Sequence, residues 1–413
     1  MDPLTIRGFK GMNNVLVEGG YSGHEDGSMT AIPKVILNAD VTPEQRLKKR
    51  PGFRLLANMP NAHSIWGTRR VLLAVSEGRL FRFYPDGSTV NVCGISGPHE
   101  EKMYYAAVGD LVYLSNPHWM GIFDPSNNTV GAWGIPIPEQ PVLSVVPGTG
   151  ALKAGRCQVC YTNVVDGQIG GSGMIAEVEI LSEGSTISLL NKPSGVIAWA
   201  TDPDGSTFYR AAYERAEITD IDNLEPLPTF LCAPPSPMRF IRLAFGRLWG
   251  AIDNTLRYSE PYRYDLFKST NIFSFHEDIR LAAFVDGGIF VGFDDRTAFL
   301  PGTEPSAMRE VHVGGGVARN ILAYCNNIPD MGNHVPVWVS KDGLVAGGHS
   351  GVLVKITRDR VQFPTGAEGA AVHRVINGQD QFLTSFKQER PRGSEVGFGD
   401  SATCEVVRNG KVL

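Results

Sequence analysis

The feature that most constrains this chain is a recurring phrase, an acidic or Gly-containing turn followed by a short aliphatic-aromatic run. It stands at Ser76-Glu77-Gly78-Arg79-Leu80-Phe81, Gly109-Asp110-Leu111-Val112-Tyr113, Gly246-Arg247-Leu248-Trp249, Asp286-Gly287-Gly288-Ile289-Phe290 and Lys341-Asp342-Gly343-Leu344-Val345. Another β-rich run precedes each copy, as in Val71-Leu72-Leu73-Ala74-Val75 and Leu281-Ala282-Ala283-Phe284-Val285. Glycine takes the positive-φ corners of a tight turn without steric cost, so each phrase predicts a hairpin. Hairpins recurring at roughly 40–50 residues, about one blade, predict radial repetition of small antiparallel sheets. The copies are degenerate and unevenly spaced. The expected fold is therefore mostly β: a degenerate β-propeller with an extended N-terminal arm and an irregular or inserted β region.

The 413 residues suffice for at least one large core, and 42% hydrophobic with 20% charged residues is ordinary for a globular chain. The 47 glycines and 27 prolines suit many turns between short strands. A formal net charge of −5 gives no electrostatic case for general nucleic-acid binding. No run approaches the roughly 20 apolar residues of a membrane span. Met1-Asp2-Pro3-Leu4-Thr5-Ile6-Arg7 lacks the apolar core of a secretory signal, so synthesis in a cytoplasm without export is expected. Six thinly scattered cysteines (Cys93, Cys157, Cys160, Cys232, Cys325, Cys404) do not make a disulfide framework.

Five segments follow from texture. Residues 1–60 form an extended arm, Gly- and Asn-rich at first, with a candidate strand at Val35-Ile36-Leu37-Asn38-Ala39-Asp40-Val41 and a basic cluster from Arg46 to Arg50. Residues 61–141 carry the first blades, with turns at Pro85-Asp86-Gly87 and Asp124-Pro125-Ser126 and a Pro-rich linker from Ile135 to Pro141. Residues 142–237 are an inserted or irregular β region, 238–364 are further blades, and 365–413 are a polar, peripheral segment. No long amphipathic helix is expected.

The chemical motifs are weak. Cys157-x-x-Cys160 has no second thiol pair, and thiols three apart on a strand point to opposite faces. Gly347-Gly348-His349-Ser350-Gly351 fails the spacing of a nucleophile elbow, and Gly314-Gly315-Gly316 lacks the Lys-Ser/Thr ending of a phosphate loop. Asp202-Pro203-Asp204-Gly205-Ser206 reads as a turn, not a calcium loop. Trp249, Tyr258, Tyr262, Tyr264, Phe267, Phe273 and Phe275 are assigned mostly to blade cores. No catalytic residue, cofactor-binding residue or metal ligand is assigned, and no cofactor is expected.

Several phrases together resemble a known family. Gly8-Phe9-Lys10-Gly11-Met12-Asn13-Asn14, Leu37-Asn38-Ala39-Asp40-Val41 and Lys49-Arg50-Pro51-Gly52-Phe53 are similar to the N-terminal arm of bacteriophage virion proteins. Phe245-Gly246-Arg247-Leu248-Trp249-Gly250-Ala251 with Asn254-Thr255-Leu256-Arg257-Tyr258-Ser259-Glu260-Pro261 resembles a blade of the tail-nozzle proteins of short-tailed phages, the packaged-DNA stabilisation family. Asp286-Gly287-Gly288-Ile289-Phe290-Val291-Gly292, Phe299-Leu300-Pro301-Gly302 and Tyr161-Thr162-Asn163-Val164-Val165-Asp166-Gly167 extend the likeness. The resemblance implies a non-enzymatic β-propeller of the virion tail, made in the host cytoplasm. It implies a ring homo-oligomer, a hexamer being one candidate, that continues the DNA channel, helps retain packaged DNA and attaches other tail proteins, fibres or a needle. The candidate intersubunit arm comprises Phe9, Met12, Asn13, Asn14, Arg46, Lys48, Lys49, Arg50 and Phe53. A net acidic chain suits a channel through which DNA must slide, because a strongly basic lumen would hold the phosphates. The alternative expectation is a propeller glycosidase acting on host surface polysaccharide through channel carboxylates. Its only loose candidates are Asp253, Asp286 and Asp342, each in a turn phrase.

Overall fold

The computed structural model describes residues 57–221, 224–357, 360–361, 363, 368–376 and 379–387. It also describes 6–9, 20–23, 28–32, 39–41, 44–49, 55 and 403–408. Among the described residues the ordered structure is almost all strand, with one short 3₁₀ turn at Pro305–Ala307, and no helix is long and apolar enough to cross a membrane. The chain divides into two compact units, Ala57–Ser274 and the combination of Met1–Leu56 with Phe275–Leu413.

All five phrases lie on hairpins closed by two-residue turns. The register pairs Ser76 with Arg79, Val108 with Leu111, Ala244 with Arg247, Val285 with Gly288 and Ser340 with Gly343. Glu77 and Gly78 both adopt positive φ (48° and 67°), as do Phe245 and Gly246 (53° and 68°), the pattern whose twist matches paired strands. At Asp86 and Asp124 the carboxylate accepts the backbone N–H two residues on, from Ser88 and Ser126 at 2.9 and 2.8 Å. Those bonds fix the turns, and the Ser88 and Ser126 hydroxyls together with them hold both carboxyls below their usual pKa range.

Each hairpin is extended to a four-stranded antiparallel meander, the blade unit of a β-propeller. In the unit Ala57–Ser274 the first blade is His63–Gly67, Leu72–Ser76, Arg79–Phe83 and Thr89–Gly94. The second is Tyr104–Val108, Leu111–Ser115, Met120–Asp124 and Thr129–Gly131, and the third is Arg239–Ala244, Arg247–Ile252, Thr255–Tyr258 and Ile272–Ser274. In the other unit one blade is Leu281–Val285, Gly288–Gly292, Arg296–Pro301 and Val311–Gly315, and the next is Val317–Cys325, Val335–Ser340, Gly343–Gly347 and Leu353–Lys355. The fold is of the degenerate β-propeller type. The repeat is out of phase: the phrase joins the first two strands of three blades but the middle two of the others. That shift, together with the region inserted between the second and third blades, accounts for the uneven spacing in the sequence.

Within each unit, blades bury their faces against one another. Leu73, Val75 and Leu80 of the first blade share a core with Val112, Leu114 and Phe123 of the second. Tyr113 of the second joins Ile241 and Leu248 of the third. In the other unit Phe290 and Phe299 pack on Trp338, with ring centroids of Phe290 and Trp338 5.4 Å apart.

The region read as inserted or irregular is two small sheets over a common core. One is Leu143–Val146, Thr186–Leu189 and Glu217–Ile218; the other centres on Gly155–Val165, flanked by Ala176–Ile180 and Val196–Thr201. Ile187 and Leu189 from the first meet Cys157, Val159 and Tyr161 from the second. The segment expected to be peripheral contributes more than that reading allowed. Glu368–Ile376 and Gln379–Lys387 form a hairpin that joins the sheet of the last blade through Arg319 opposite Glu368, and it buries Phe382 and Phe386. The pattern is hard to see because the buried Phe382, Thr384 and Phe386 alternate with more exposed residues and the polar Gln381 is buried beside them.

Gly78 offers a direct check on the turn geometry. A Cβ there would combine positive φ with an approach of 2.6 Å to His99 Cδ2. Gly78→Ala is expected to destabilise the protein by roughly 1–3 kcal/mol in urea denaturation, and an unchanged midpoint would refute the constraint.

Candidate functional site

The nine arm residues are placed unevenly. Ile6–Phe9 runs parallel to Met29–Ile32, which pairs antiparallel with Gly20–Gly23, and Ala39–Val41 pairs with Leu47–Lys49. The arm, read as extended and aperiodic, thus contains two small sheets. Arg46, Lys48 and Lys49 are exposed along one of them, with Lys48 opposite Asp40 in register. Phe9 is described in its backbone only, and Met12, Asn13, Asn14, Arg50 and Phe53 lie outside the described residues.

The loose acidic candidates sit in turns, as their sequence context implied. Asp253 takes φ 48° between paired Ile252 and Thr255. Asp286 is almost fully exposed and lies 3.4 Å from His349 Nδ1, while Asp342 pairs with Lys355 at 3.4 Å. Each of the three is accounted for by the turn that carries it. Asp202 accepts the N–H of Gly205 at 2.8 Å, and Asp204 accepts that of Arg156 at 3.1 Å, so this segment is a tied turn. The Gly347-to-Gly351 stretch closes on itself through Gly351 N–H to the carbonyl of Gly348, again a turn.

Cys157 and Cys160 point to opposite sides of their strand. Cys157 lies in the core with Val159 and Tyr161; Cys160 lies in a second core with Trp199 and Phe208. Burial pushes the thiols up to about 11 and about 12 respectively.

The aromatic group is mainly core. Trp249 is fully buried, with Tyr258 at 4.7 Å and Phe273 at 6.3 Å between centroids; Phe275 packs on Phe293 at 5.1 Å. Tyr262 is the exception, at 77% exposure.

Two surface features were not legible beforehand. The first is an exposed apolar group in the inserted region. Val142, Met174, Ile175 and Leu190 are 50%, 70%, 36% and 65% exposed. They are gathered by hydrogen bonds: Gln140 Nε2 donates to the Ile175 carbonyl at 2.7 Å, Asn191 Nδ2 to the Gln140 carbonyl at 2.9 Å, and Leu190 N–H to the Val142 carbonyl at 2.9 Å. No sequence signal marks them, because the four residues come from three separate segments.

The second is a cavity of about 180 Å³ walled by Pro234, Pro235, Met238 and Phe267, into which Arg257 and Lys268 bring positive charge. Its floor is tied by Ser269 N–H to the Leu231 carbonyl and Asn271 N–H to the Lys268 carbonyl, at 3.1 and 2.9 Å. Arg257-Tyr258 read only as blade sequence.

No family model and no curated protein matches the sequence. Solved structures with similar folds include PorZ, a surface component of the type-IX secretion system of Porphyromonas gingivalis, at 10% identity and TM-score 0.34 over 93% of this chain and 44% of PorZ. The chain thus spans less than half the length of PorZ. Others are the WD40 domain of Neurospora crassa Pan2 (10% identity, TM-score 0.30, 78% and 86% covered) and Staphylococcus aureus virginiamycin B lyase (10%, 0.29, 78% and 90%). Scores this low bear on no activity, ligand or partner of this chain.

The buried thiols make a pH prediction. Below about pH 9, the ordinary thiol value, both cysteines are neutral folded or unfolded, and they add no pH dependence. Between about pH 9 and 12 the unfolded chain loses these protons first, so stability falls with rising pH, by at most about 1.4 kcal/mol per unit for each thiol. Peptide mapping after alkylation at pH 8 should find Cys157 and Cys160 unlabelled until denaturant is added. Rapid labelling of the folded protein would contradict the burial.

Proposed function

We propose that this protein is a structural subunit of a phage tail, nozzle-like, without enzymatic activity. It works as a ring homo-oligomer that continues the DNA channel, helps retain packaged DNA and offers attachment surfaces to other tail proteins. The observation that carries the oligomeric part of this reading is the exposed group Val142, Met174, Ile175 and Leu190, held in place by the Gln140–Asn191 network. Preformed apolar clusters on a rigid β scaffold are the usual material of subunit contacts.

Support for the family part comes from where the resembling phrases fall. Phe245 to Ala251 and Asn254 to Pro261 belong to one blade, and Asp286 to Gly292 with Phe299 to Gly302 to the blade that follows it in sequence. Tyr161 to Gly167 lies in the inserted region, on the strand Gly155–Val165 and the turn that follows it. Head-to-tail contacts between identical subunits close into a ring when the rotation per subunit divides the circle. The exposed cations Arg46, Lys48 and Lys49 suit an arm that lies on a neighbouring subunit of net negative charge.

Light scattering across a concentration series, with negative-stain imaging, tests the proposal. The expected result is a closed ring, alone or on a tail tube. Leu190→Glu combined with Met174→Glu should weaken assembly at least about tenfold, because each buries a charge in the contact. Deletion of residues 1–56 should likewise impair ring formation and genome retention. A monomer at every concentration, with or without tail components, would overturn the reading.

A further inference from the structure

The cavity beside the third blade of the unit Ala57–Ser274 holds two cations without a protein counterion. Arg257 sits on the strand Thr255–Tyr258, Cα-paired with Gly250 on one side and Ile272 on the other. Its Nε is buried and has no hydrogen-bond partner, and no carboxylate pairs with its guanidinium or with Lys268 among the described residues. The contrast with a nearby cation is direct. Arg263 donates from Nε and Nη2 to both carboxylate oxygens of Asp265 at 3.0 and 2.9 Å, and from Nη2 to the Ile169 carbonyl at 2.9 Å. Glu260, the other acid close by, accepts a hydrogen bond from Asn271 Nδ2 at 2.7 Å and does not wall the cavity.

Native structures leave few buried N–H groups without an acceptor, because the desolvation is not recovered. We propose that the missing acceptor belongs to a ligand, and that this cavity binds a carboxylate carried on a compact apolar body. A guanidinium presents parallel N–H donors that match a planar carboxylate, and Lys268 adds a point charge beside it. Pro234, Pro235, Met238 and Phe267 supply a wall for the apolar part. A bare phosphate would use the charges and leave that wall wet; an uncharged apolar molecule would fill the wall and leave Arg257 unpaired. The 180 Å³ is more than ten times what one water needs, so a ring-sized acid fits.

Calorimetric titration of the full chain with benzoate tests this, with benzyl alcohol and inorganic phosphate as comparison ligands. Benzoate should bind saturably below about 10 mM, with phosphate and benzyl alcohol each at least about tenfold weaker. Arg257→Gln should cost benzoate at least about tenfold and leave benzyl alcohol unchanged. Should Arg257→Gln fail to fold by circular dichroism, Lys268→Gln serves instead, with an expected loss of at least about threefold. The proposal is overturned by an absence of saturable benzoate binding, by benzyl alcohol or phosphate binding as tightly as benzoate, or by a folded variant that retains full benzoate affinity.

Discussion

The structure depends on blade faces covering one another. A four-stranded meander has two faces, and an isolated small sheet of this kind is barely stable in water. Within each unit, neighbouring blades cover one another's faces: Phe123 and Leu80 between the first and second blades, Tyr113 and Leu248 between the second and third, Phe290 and Trp338 in the other unit. The fit is close enough to dictate small residues at particular places. A Cβ on Gly347 would come within 2.8 Å of the Trp338 ring, so the indole occupies room that only a glycine leaves. Packing at this density, rather than any single turn, turns a string of hairpins into a fold.

The same packing explains how the chain carries an insertion of about a hundred residues without losing its blades. The insertion departs after Trp133 and returns at Met238, and both residues are buried in the one cluster that joins the second and third blades. Trp133 Nε1 donates to the Tyr264 carbonyl at 2.8 Å, and Met238 N–H donates to Ser115 Oγ at 2.9 Å. With both ends anchored to blades, the intervening sheets build a core of their own and disturb little. The insertion then becomes the place where surface features are free to vary, and the exposed group around Leu190 lies on it.

Charge follows the architecture. Acidic residues stand at several hairpin corners, where Asp86 and Asp124 cap their own turns and where Asp342 meets Lys355. Arg257 and Lys268 stand out because the fold half-buries them, leaves Arg257 Nε without an acceptor, and pairs neither with a carboxylate among the described residues.

The sequence by itself determined the local geometry: which residues turn, which extend, and that the chain is mostly β. Glu77-Gly78 and Phe245-Gly246 specify their corners through φ preferences that act within two residues, and Cys157 and Cys160 diverge because a strand alternates every residue. The inward faces of Phe382 and Phe386 were hidden in a polar segment, since their apolar partners, Ile321 and Ala323, lie some sixty residues earlier. Only the tertiary structure decided which surfaces are bare. Val142, Met174 and Leu190 are ordinary strand-edge residues in sequence, and they become a cluster only when hydrogen bonds from Gln140 and Asn191 draw three segments together. Arg257 likewise looks like any exposed arginine on a blade until Pro234, Met238 and Phe267 close around it. Turn and strand preferences are local energies that a reader can sum along the chain. Burial is a property of distant segments meeting, and the sequence does not print those distances.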